Sequence, residues 1–157
     1  MSRAERPAFD RELLEQIVQA IPHVGVLGLK VTEIDVGRAL ARIDWRDDLV
    51  GDPGTGVLHG GVLTTVVDTV SGLAVMSRVT EVMQIATLDL RIDYLRPARP
   101  RLPVFAEATC YRLSRSVAFV RARAYQEGGD DVAASLATFM LQSSSLPAWV
   151  KTQGTRT

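Results

Sequence analysis

The sequence is poor in the residues that bind metals or form covalent cross-links. Its 157 residues include one cysteine, Cys110, and two histidines, His23 and His59. A single cysteine excludes an intrachain disulfide, and no group of cysteines and histidines has the spacing of a metal site. Cys110 falls in a strand-like run, where a small buried hydrophobic residue is expected. We therefore expect no metal.

The chain also lacks an excess of charge of either sign. Lys plus Arg and Asp plus Glu both number 18, so the formal net charge is zero. Without a basic face or a polybasic segment, binding to nucleic acid or to a membrane is not expected, although a local patch could still bind an anionic small molecule. The first residues contain no apolar run with a cleavage site, which favours a cytoplasmic protein.

The length and the hydrophobic content of 46% favour a single domain with a real core. We place the core at about residues 24–143, after an N-terminal region at 1–23 and before a tail at 144–157, where Trp149 could pin part of the chain. Apolar residues at helical spacing between positions 9 and 21 predict an amphipathic N-terminal helix that Pro22 ends.

Alternation of apolar and polar residues predicts six strands. Two of them, residues 30–37 and 38–45, precede the longest apolar segment of the chain, and four follow it, at 83–95, 102–113, 117–128 and 131–142. In the 83–95 strand, Leu90 and Ile92 are predicted on one face and Thr87 on the other. The short links between the last four strands predict an antiparallel meander. Residues 46–58 have no period and are predicted to be a loop.

The longest apolar segment, LHGGVLTTVVDTVSGLAVMS at 58–77, predicts a long buried helix. A broad apolar stripe of this helix is assigned to the sheet. A second face carries small and hydroxyl-bearing residues around Asp68, among them Thr64, Thr65, Ser71 and Gly72. Gly72 suggests that a partner chain or a ligand comes close to this face. The element order predicts an α+β fold, with one antiparallel sheet wrapped around the central helix.

Asp68 is either a buried acid satisfied by a hydroxyl or a backbone N–H, or a catalytic residue. His59 could simply cap the helix, and Gly60 with Gly61 could simply form a tight entry into it. Together, however, a glycine turn at a helix N-terminus can stabilise an oxyanion, and an acid two turns on can be a base or a nucleophile. The two lie ~12 Å apart along one helix. A shared substrate would therefore need Asp68 from a second copy in a two-fold dimer.

The stretch HGGVLTTVVDTVSGLA resembles the signature of the hotdog-fold acyl-CoA thioesterases of the PaaI-like (phenylacetic acid degradation-type) group. The stretches ATLDLRIDYLRPA and YQEGGDDVAASLATFML resemble later strands of that family, and the likeness spans about residues 27–142. The resemblance implies a hotdog fold, a homodimer or dimer of dimers (a homotetramer), and hydrolysis of acyl-CoA thioesters. It implies no cofactor, since CoA is part of the substrate.

The resemblance also implies catalytic roles. Asp68 would be the nucleophile or the base that activates water, and Thr87 would help to orient that water. The Gly60 N–H of the other subunit would polarise the thioester carbonyl. His59 would support the turn and the thioester by hydrogen bonding.

The implied substrate-binding residues are Gly61, Thr65, Asp52 and Arg96. Arg96, together with Arg99 and Arg101, would supply cations for the CoA phosphates, although a solvated face is the more usual role of such arginines. Many relatives carry an Asn about six residues before the His; in this chain that position is Pro53, with Asp52 just before it. Either Asp52 takes that role, or the loop is built differently.

Two other functions are compatible with such a fold. One is a non-catalytic module that binds acyl-CoA or another apolar ligand, which would have no need of Asp68. The other is a dehydratase or hydratase, which pairs an acid with a histidine on or beside the site helix. The second histidine of this chain, His23, lies near the N-terminal helix, so this function ranks below the others.

Overall fold

The computed structural model describes residues 7–143, which form three α-helices and eight strands. The helices are α1 (Arg11–Gln19), α2 (Pro22–Leu27) and α3 (Gly60–Met76). The strands are β1 (Lys30–Asp35), β2 (Arg38–Ile43), β3 (Val50–Asp52), β4 (Val57–Leu58), β5 (Met83–Tyr94), β6 (Val104–Leu113), β7 (Val117–Tyr125) and β8 (Asp131–Ser143). The prediction for the tail and Trp149 lies outside the described residues.

Six strands form one antiparallel sheet in the order β1-β2-β6-β7-β8-β5, and α3 packs against one face of it. The helix contributes large apolar side chains to this interface, and the sheet contributes many alanines. The fully buried alanines of the sheet are Ala39, Ala41, Ala106, Ala108, Ala118, Ala124 and Ala133. Small side chains let a helix approach a sheet closely. The predicted architecture, an antiparallel sheet around a long central helix, is confirmed.

The predicted meander is wrong at one connection. Strand β5 pairs with β8, at the edge of the sheet, while β6 pairs with β2 and β7. The link after β5 therefore crosses to a distant strand, and of the three links between the last four strands only β6–β7 and β7–β8 are hairpins. This link contains Pro97, Pro100 and Pro103, and prolines without N–H donors favour such an irregular crossover over a tight hairpin.

The N-terminal helix is confirmed, but the role predicted for Pro22 is wrong. Helix α1 ends at Gln19, and Pro22 is the first residue of a second helix, α2. Proline suits this position because its missing N–H has no partner at a helix start. Helix α2 ends at Leu27, and Gly28, which follows it as the C-cap, adopts the left-handed conformation with φ of 71°.

A β-bulge divides β5, and the predicted face alternation is wrong there. The pairing with β8 runs from Thr87 opposite Phe139 to Asp89 opposite Thr138, so one residue is unpaired. Before the bulge, Ile85 and Thr87 face α3; after it, Leu90 and Ile92 do. An extra residue shifts the period-two alternation by one. Thr87 therefore shares a face with Leu90 instead of opposing it.

The second face of α3 is divided into two parts. Thr64, Thr65 and Asp68 are half-buried, whereas Ser71 and Gly72 are fully buried. A Cβ built on Gly72 would lie 3.4 Å from Ile85 Cδ1 and 3.8 Å from Phe139 Cε1. The predicted approach to Gly72 by a partner or a ligand is therefore corrected: β5 and β8 of the same chain pack there.

Candidate functional site

The segment that leads into α3 is more ordered than the predicted loop. A 3-10 turn at Asp47–Leu49 is followed by β3 and β4, which pair with each other as a short antiparallel ribbon. Between these strands, the Asp52 carboxylate accepts hydrogen bonds from the Gly54 N–H at 3.0 Å and from the Thr55 hydroxyl at 2.7 Å. These two donors lower the pKa of Asp52. Both carboxylate oxygens thus serve the turn, which supports the alternative of a differently built loop.

His59 forms the N-cap of α3. Its Nδ1 accepts a hydrogen bond from the Gly61 N–H at 2.9 Å, and its own N–H donates to the Leu49 carbonyl at 2.9 Å. Gly51 lies directly against it, since a Cβ there would sit only 2.8 Å from His59 Cα. The ribbon therefore fixes the position of His59. Because Nδ1 is an acceptor, the ring of a neutral His59 carries its proton on Nε2 and can donate there.

The glycine turn leaves the Gly60 N–H available to another molecule. The Gly61 N–H is taken by His59, and the Val62 N–H donates to the His59 carbonyl at 3.0 Å. Within residues 7–143, the Gly60 N–H makes no hydrogen bond. A free N–H at the positive end of a 17-residue helix is suited to a negatively charged oxygen.

Asp68 is half-buried, two helical turns after Gly60, and is oriented from β5. The Thr87 hydroxyl donates to Asp68 Oδ1 at 2.9 Å. Among the described residues, nothing hydrogen-bonds to the other oxygen, Oδ2. One oxygen is thus held in place while the other can accept a proton. The bulge in β5 is what turns Thr87 toward the helix.

Tyr94, at the end of β5, is a residue of the site that the sequence analysis missed. Its hydroxyl lies 2.6 Å from Thr64 Oγ1 and donates to the Gly60 carbonyl at 3.1 Å. A Cβ on Gly60 would lie 3.3 Å from three atoms of the Tyr94 side chain. The aromatic ring therefore rests on Gly60. Alternation along β5 places this tyrosine on the same face as Leu90 and Ile92, but its contact with Gly60 depends on the packing of β5 against α3, which the sequence pattern does not show.

Thr65 and Gly61 lie on the other side of α3, facing α2. The Thr65 hydroxyl donates to the Gly61 carbonyl at 3.0 Å, and His23 Nε2 lies 3.4 Å from Thr65 Oγ1. His23, predicted to lie by the N-terminal helix, is in fact brought beside α3 by α2. It does not contact Asp68, so these contacts do not form an acid–histidine pair.

Arg96 lies away from the turn, at the start of the link after β5. Its guanidinium forms an ion pair with Asp130 at 2.6 Å and donates to the Asp131 carbonyl at 3.0 Å. The arginine lowers the pKa of Asp130. Arg99 donates to the Glu127 carbonyl. Arg101 has no ion-pair partner among residues 7–143 and lines a groove with Trp45 and Pro100.

Three other kinds of functional feature are relevant to the rest of the described residues: a metal site, a membrane-spanning helix and a reactive cysteine. Within residues 7–143, no group of three or more His, Cys, Asp or Glu side chains could hold a metal ion. In the same range, no helix is both long and apolar enough to span a membrane. Cys110 is buried as predicted, and burial raises the pKa of its thiol.

Comparison with known proteins identifies the family. A family profile described as Thioesterase superfamily matches residues 55–133, half of the chain. The medium/long-chain acyl-CoA thioesterase YigI of Salmonella typhimurium is 29% identical over 140 residues, which cover 81% of this chain and 90% of YigI.

Solved structures agree with this match. A Pseudomonas aeruginosa protein is 37% identical, with a TM-score of 0.74 over 82% of this chain and 96% of that one. A variant of the phenylacetic acid degradation protein PaaI from Thermus thermophilus is 33% identical, with a TM-score of 0.68 over 76% of this chain and 97% of that one. The resemblance to PaaI-like hotdog proteins is confirmed. The chain belongs to the thioesterase superfamily.

Proposed function

We propose that this protein hydrolyses acyl-CoA thioesters to a free acid and CoA. The observation that carries the proposal is the pairing of the Asp68 carboxylate with the Thr87 hydroxyl on a half-buried helix face. A binding module would not need a positioned carboxylate there. The acyl-CoA substrate is supported by YigI, which is named a medium/long-chain acyl-CoA thioesterase.

In the proposed reaction, Asp68 acts as the general base. Thr87 holds Oδ1, and Oδ2 takes a proton from a water molecule as its oxygen attacks the thioester carbonyl. The carbonyl oxygen becomes negatively charged, and the free Gly60 N–H stabilises it at the helix N-terminus. The intermediate then expels the CoA thiolate. A thiol with a pKa of roughly 8.5 leaves readily, so no strong general acid is required. Direct attack by Asp68, with an anhydride intermediate, is the alternative route.

We further propose that each site combines two copies of the chain. Asp68 and Gly60 of one copy lie about 12 Å apart along α3, from a rise of ~1.5 Å per residue. A two-fold homodimer can bring the Gly60 turn of one copy to Asp68 of the other. A dimer of dimers is compatible with this arrangement.

The substrate contacts follow from the same geometry. His59 can donate from Nε2 to the thioester, while Gly61 and Thr65 lie beside the acyl group. Asp52 shapes the turn and does not contact the substrate. Arg101 is a better candidate than Arg96 for the CoA phosphates, because the ion pair between Arg96 and Asp130 would have to open first.

The test is thiol release from a panel of aryl- and alkyl-acyl-CoA esters, with wild type beside Asp68→Asn. We expect the substitution to lower kcat by at least about a hundredfold, in the range that general acid–base catalysis contributes. Asp93→Asn, an exposed carboxylate on β5, is the control and should leave kcat unchanged. Unchanged turnover in Asp68→Asn would contradict the mechanism. Tight ester binding without thiol release by the wild type would favour a binding module.

A further inference from the structure

A cavity of about 570 Å³ lies between α2 and the first turns of α3. It borders His59 and Gly61, the residues on both sides of Gly60, and extends one helical turn along α3 to Thr65. Most of the remaining lining is aliphatic and comes from α2, the segment before β3, and α3. These aliphatic residues are Val26, Leu27, Leu49, Val50 and Val62. We call this space the α2 cavity.

The α2 wall of this cavity is fixed by one arginine. Arg46 donates to the Val26 carbonyl at 3.0 Å and to the Leu27 carbonyl at 3.2 Å, at the C-terminal end of α2. The same guanidinium pairs with Asp48 at 2.7 Å. Cations near helix C-termini satisfy carbonyls that lack partners within the helix. The cavity is therefore formed by the folded chain itself and does not need a ligand to shape it.

Apart from His59 Nε2, the polar side chains that line the α2 cavity have partners within the chain, which makes the cavity unsuitable for a highly charged ligand. The charge of Arg46 is balanced by Asp48, so it offers no free cation to a CoA phosphate. The Thr65 hydroxyl donates to the Gly61 carbonyl, and His23 Nε2 lies within hydrogen-bond distance of the same hydroxyl oxygen, at 3.4 Å. An apolar ligand can occupy such a space without leaving these groups unsatisfied.

We propose that the α2 cavity binds the acyl chain of the thioester, and that it favours chains of medium length over very short ones. The proposal rests on the proposed function in taking the ligand to be an acyl-CoA. The volume falls within the roughly 300–1,000 Å³ typical of small-molecule pockets, so an acetyl group would leave it largely filled with water. The position of the cavity beside Gly60 places the chain where the thioester carbonyl reaches the free N–H.

The experiment uses alkyl-CoA thioethers, which lack the carbonyl and are not hydrolysed, with dissociation constants measured by calorimetry. For the wild type, octyl-CoA should bind at least about tenfold more tightly than ethyl-CoA. The two ligands differ by six methylenes, and their full burial could increase the affinity by far more than this factor. Val26 is 69% exposed at the rim, so Val26→Trp can narrow the cavity without disturbing the core. We expect it to weaken octyl-CoA binding about tenfold and to leave ethyl-CoA binding unchanged.

The matched control is Val36→Trp, since Val36 is 65% exposed in the turn between β1 and β2. It should change neither dissociation constant. A second variant, Val62→Ala, enlarges the cavity and should improve binding of tetradecyl-CoA relative to octyl-CoA. Equal affinity of the wild type for ethyl- and octyl-CoA, or equal effects of the two tryptophan variants, would overturn the assignment. Tight octyl-CoA binding without thiol release from the esters would instead contradict only the proposed hydrolysis.

Discussion

Tyr94 holds the first residue of α3 through both its ring and its hydroxyl. The ring packs on Gly60, and the hydroxyl binds Thr64 Oγ1 and the Gly60 carbonyl. Tyr94→Phe keeps the ring and removes both hydrogen bonds. A net loss of about 1 kcal/mol in positioning corresponds to a kcat about fivefold lower, with KM within about twofold of wild type. Steady-state kinetics with one acyl-CoA ester measure kcat and KM separately and so test this prediction.

The matched control for this substitution is Tyr111→Phe. Tyr111 on β6 is 49% exposed and Tyr94 is 52% exposed, so the two changes remove a hydroxyl from side chains of similar exposure. Tyr111→Phe should leave kcat unchanged. If Tyr94→Phe lowers the thermal midpoint but not kcat, Tyr94 only packs against α3 and does not position Gly60.

At the scale of elements, the periodic spacing of apolar residues in the sequence predicts the central helix and the strands of the large sheet. The apolar run at 58–77 predicts α3, and alternation predicts every strand of the large sheet. The bulge in β5 is not visible in the sequence, because one extra residue leaves the apolar pattern after Leu88 intact while reversing the faces before it. For this reason the resemblance pointed to Thr87 while the alternation placed it on the wrong face. The roles of Tyr94 and of α2 depend on tertiary contacts that local patterns do not specify.

Gly72 gives a stability prediction that follows from the packing of α3 on β5. A Cβ at this position would make ordinary contacts, at 3.4 Å with Ile85 and 3.8 Å with Phe139. Glycine inside a helix costs roughly 0.5–1 kcal/mol relative to alanine, because the unfolded chain has more freedom to lose. We expect Gly72→Ala to raise the free energy of unfolding by about that amount, measured by denaturant titration, with thioesterase activity unchanged.

Gly51→Ala is the contrasting variant. Its Cβ would lie 2.8 Å from the backbone of His59, so the ribbon or the N-cap must move. We expect Gly51→Ala to have a lower free energy of unfolding than the wild type.

For Gly72→Ala, a lower free energy of unfolding would contradict the prediction. It would mean that α3 and β5 cannot separate by even a few tenths of an ångström to accept the added methyl group.

At the scale of the whole molecule, β5 has an unpaired side. It is one of the two edge strands of the six-stranded sheet, opposite β1. It is 12 residues long, and its Leu88 is 58% exposed. A long exposed edge is a ready template for pairing with another strand. The half-buried face of α3 around Asp68 lies above this same edge, because Thr87 of β5 contacts Asp68. Pairing of β5 with β5 of a second copy would therefore cover this exposed edge and, at the same time, bring the second copy close to Asp68, as the proposed shared site requires.

A complementation experiment tests the shared site directly. Gly60→Pro removes the proposed N–H donor. His59 already has the extended backbone that the residue before a proline needs, with φ of −61° and ψ of 135°, and the Tyr94 side chain, 3.3 Å from a Cβ at Gly60, has to shift by a few tenths of an ångström. Asp68→Asn removes the base. Each variant alone should lack activity. Co-expressed in equal amounts, they form heterodimers in which one site carries both changes and the other carries neither, so about a quarter of wild-type activity should return. A mixture that forms heterodimers yet stays inactive would place both residues of a working site in one chain.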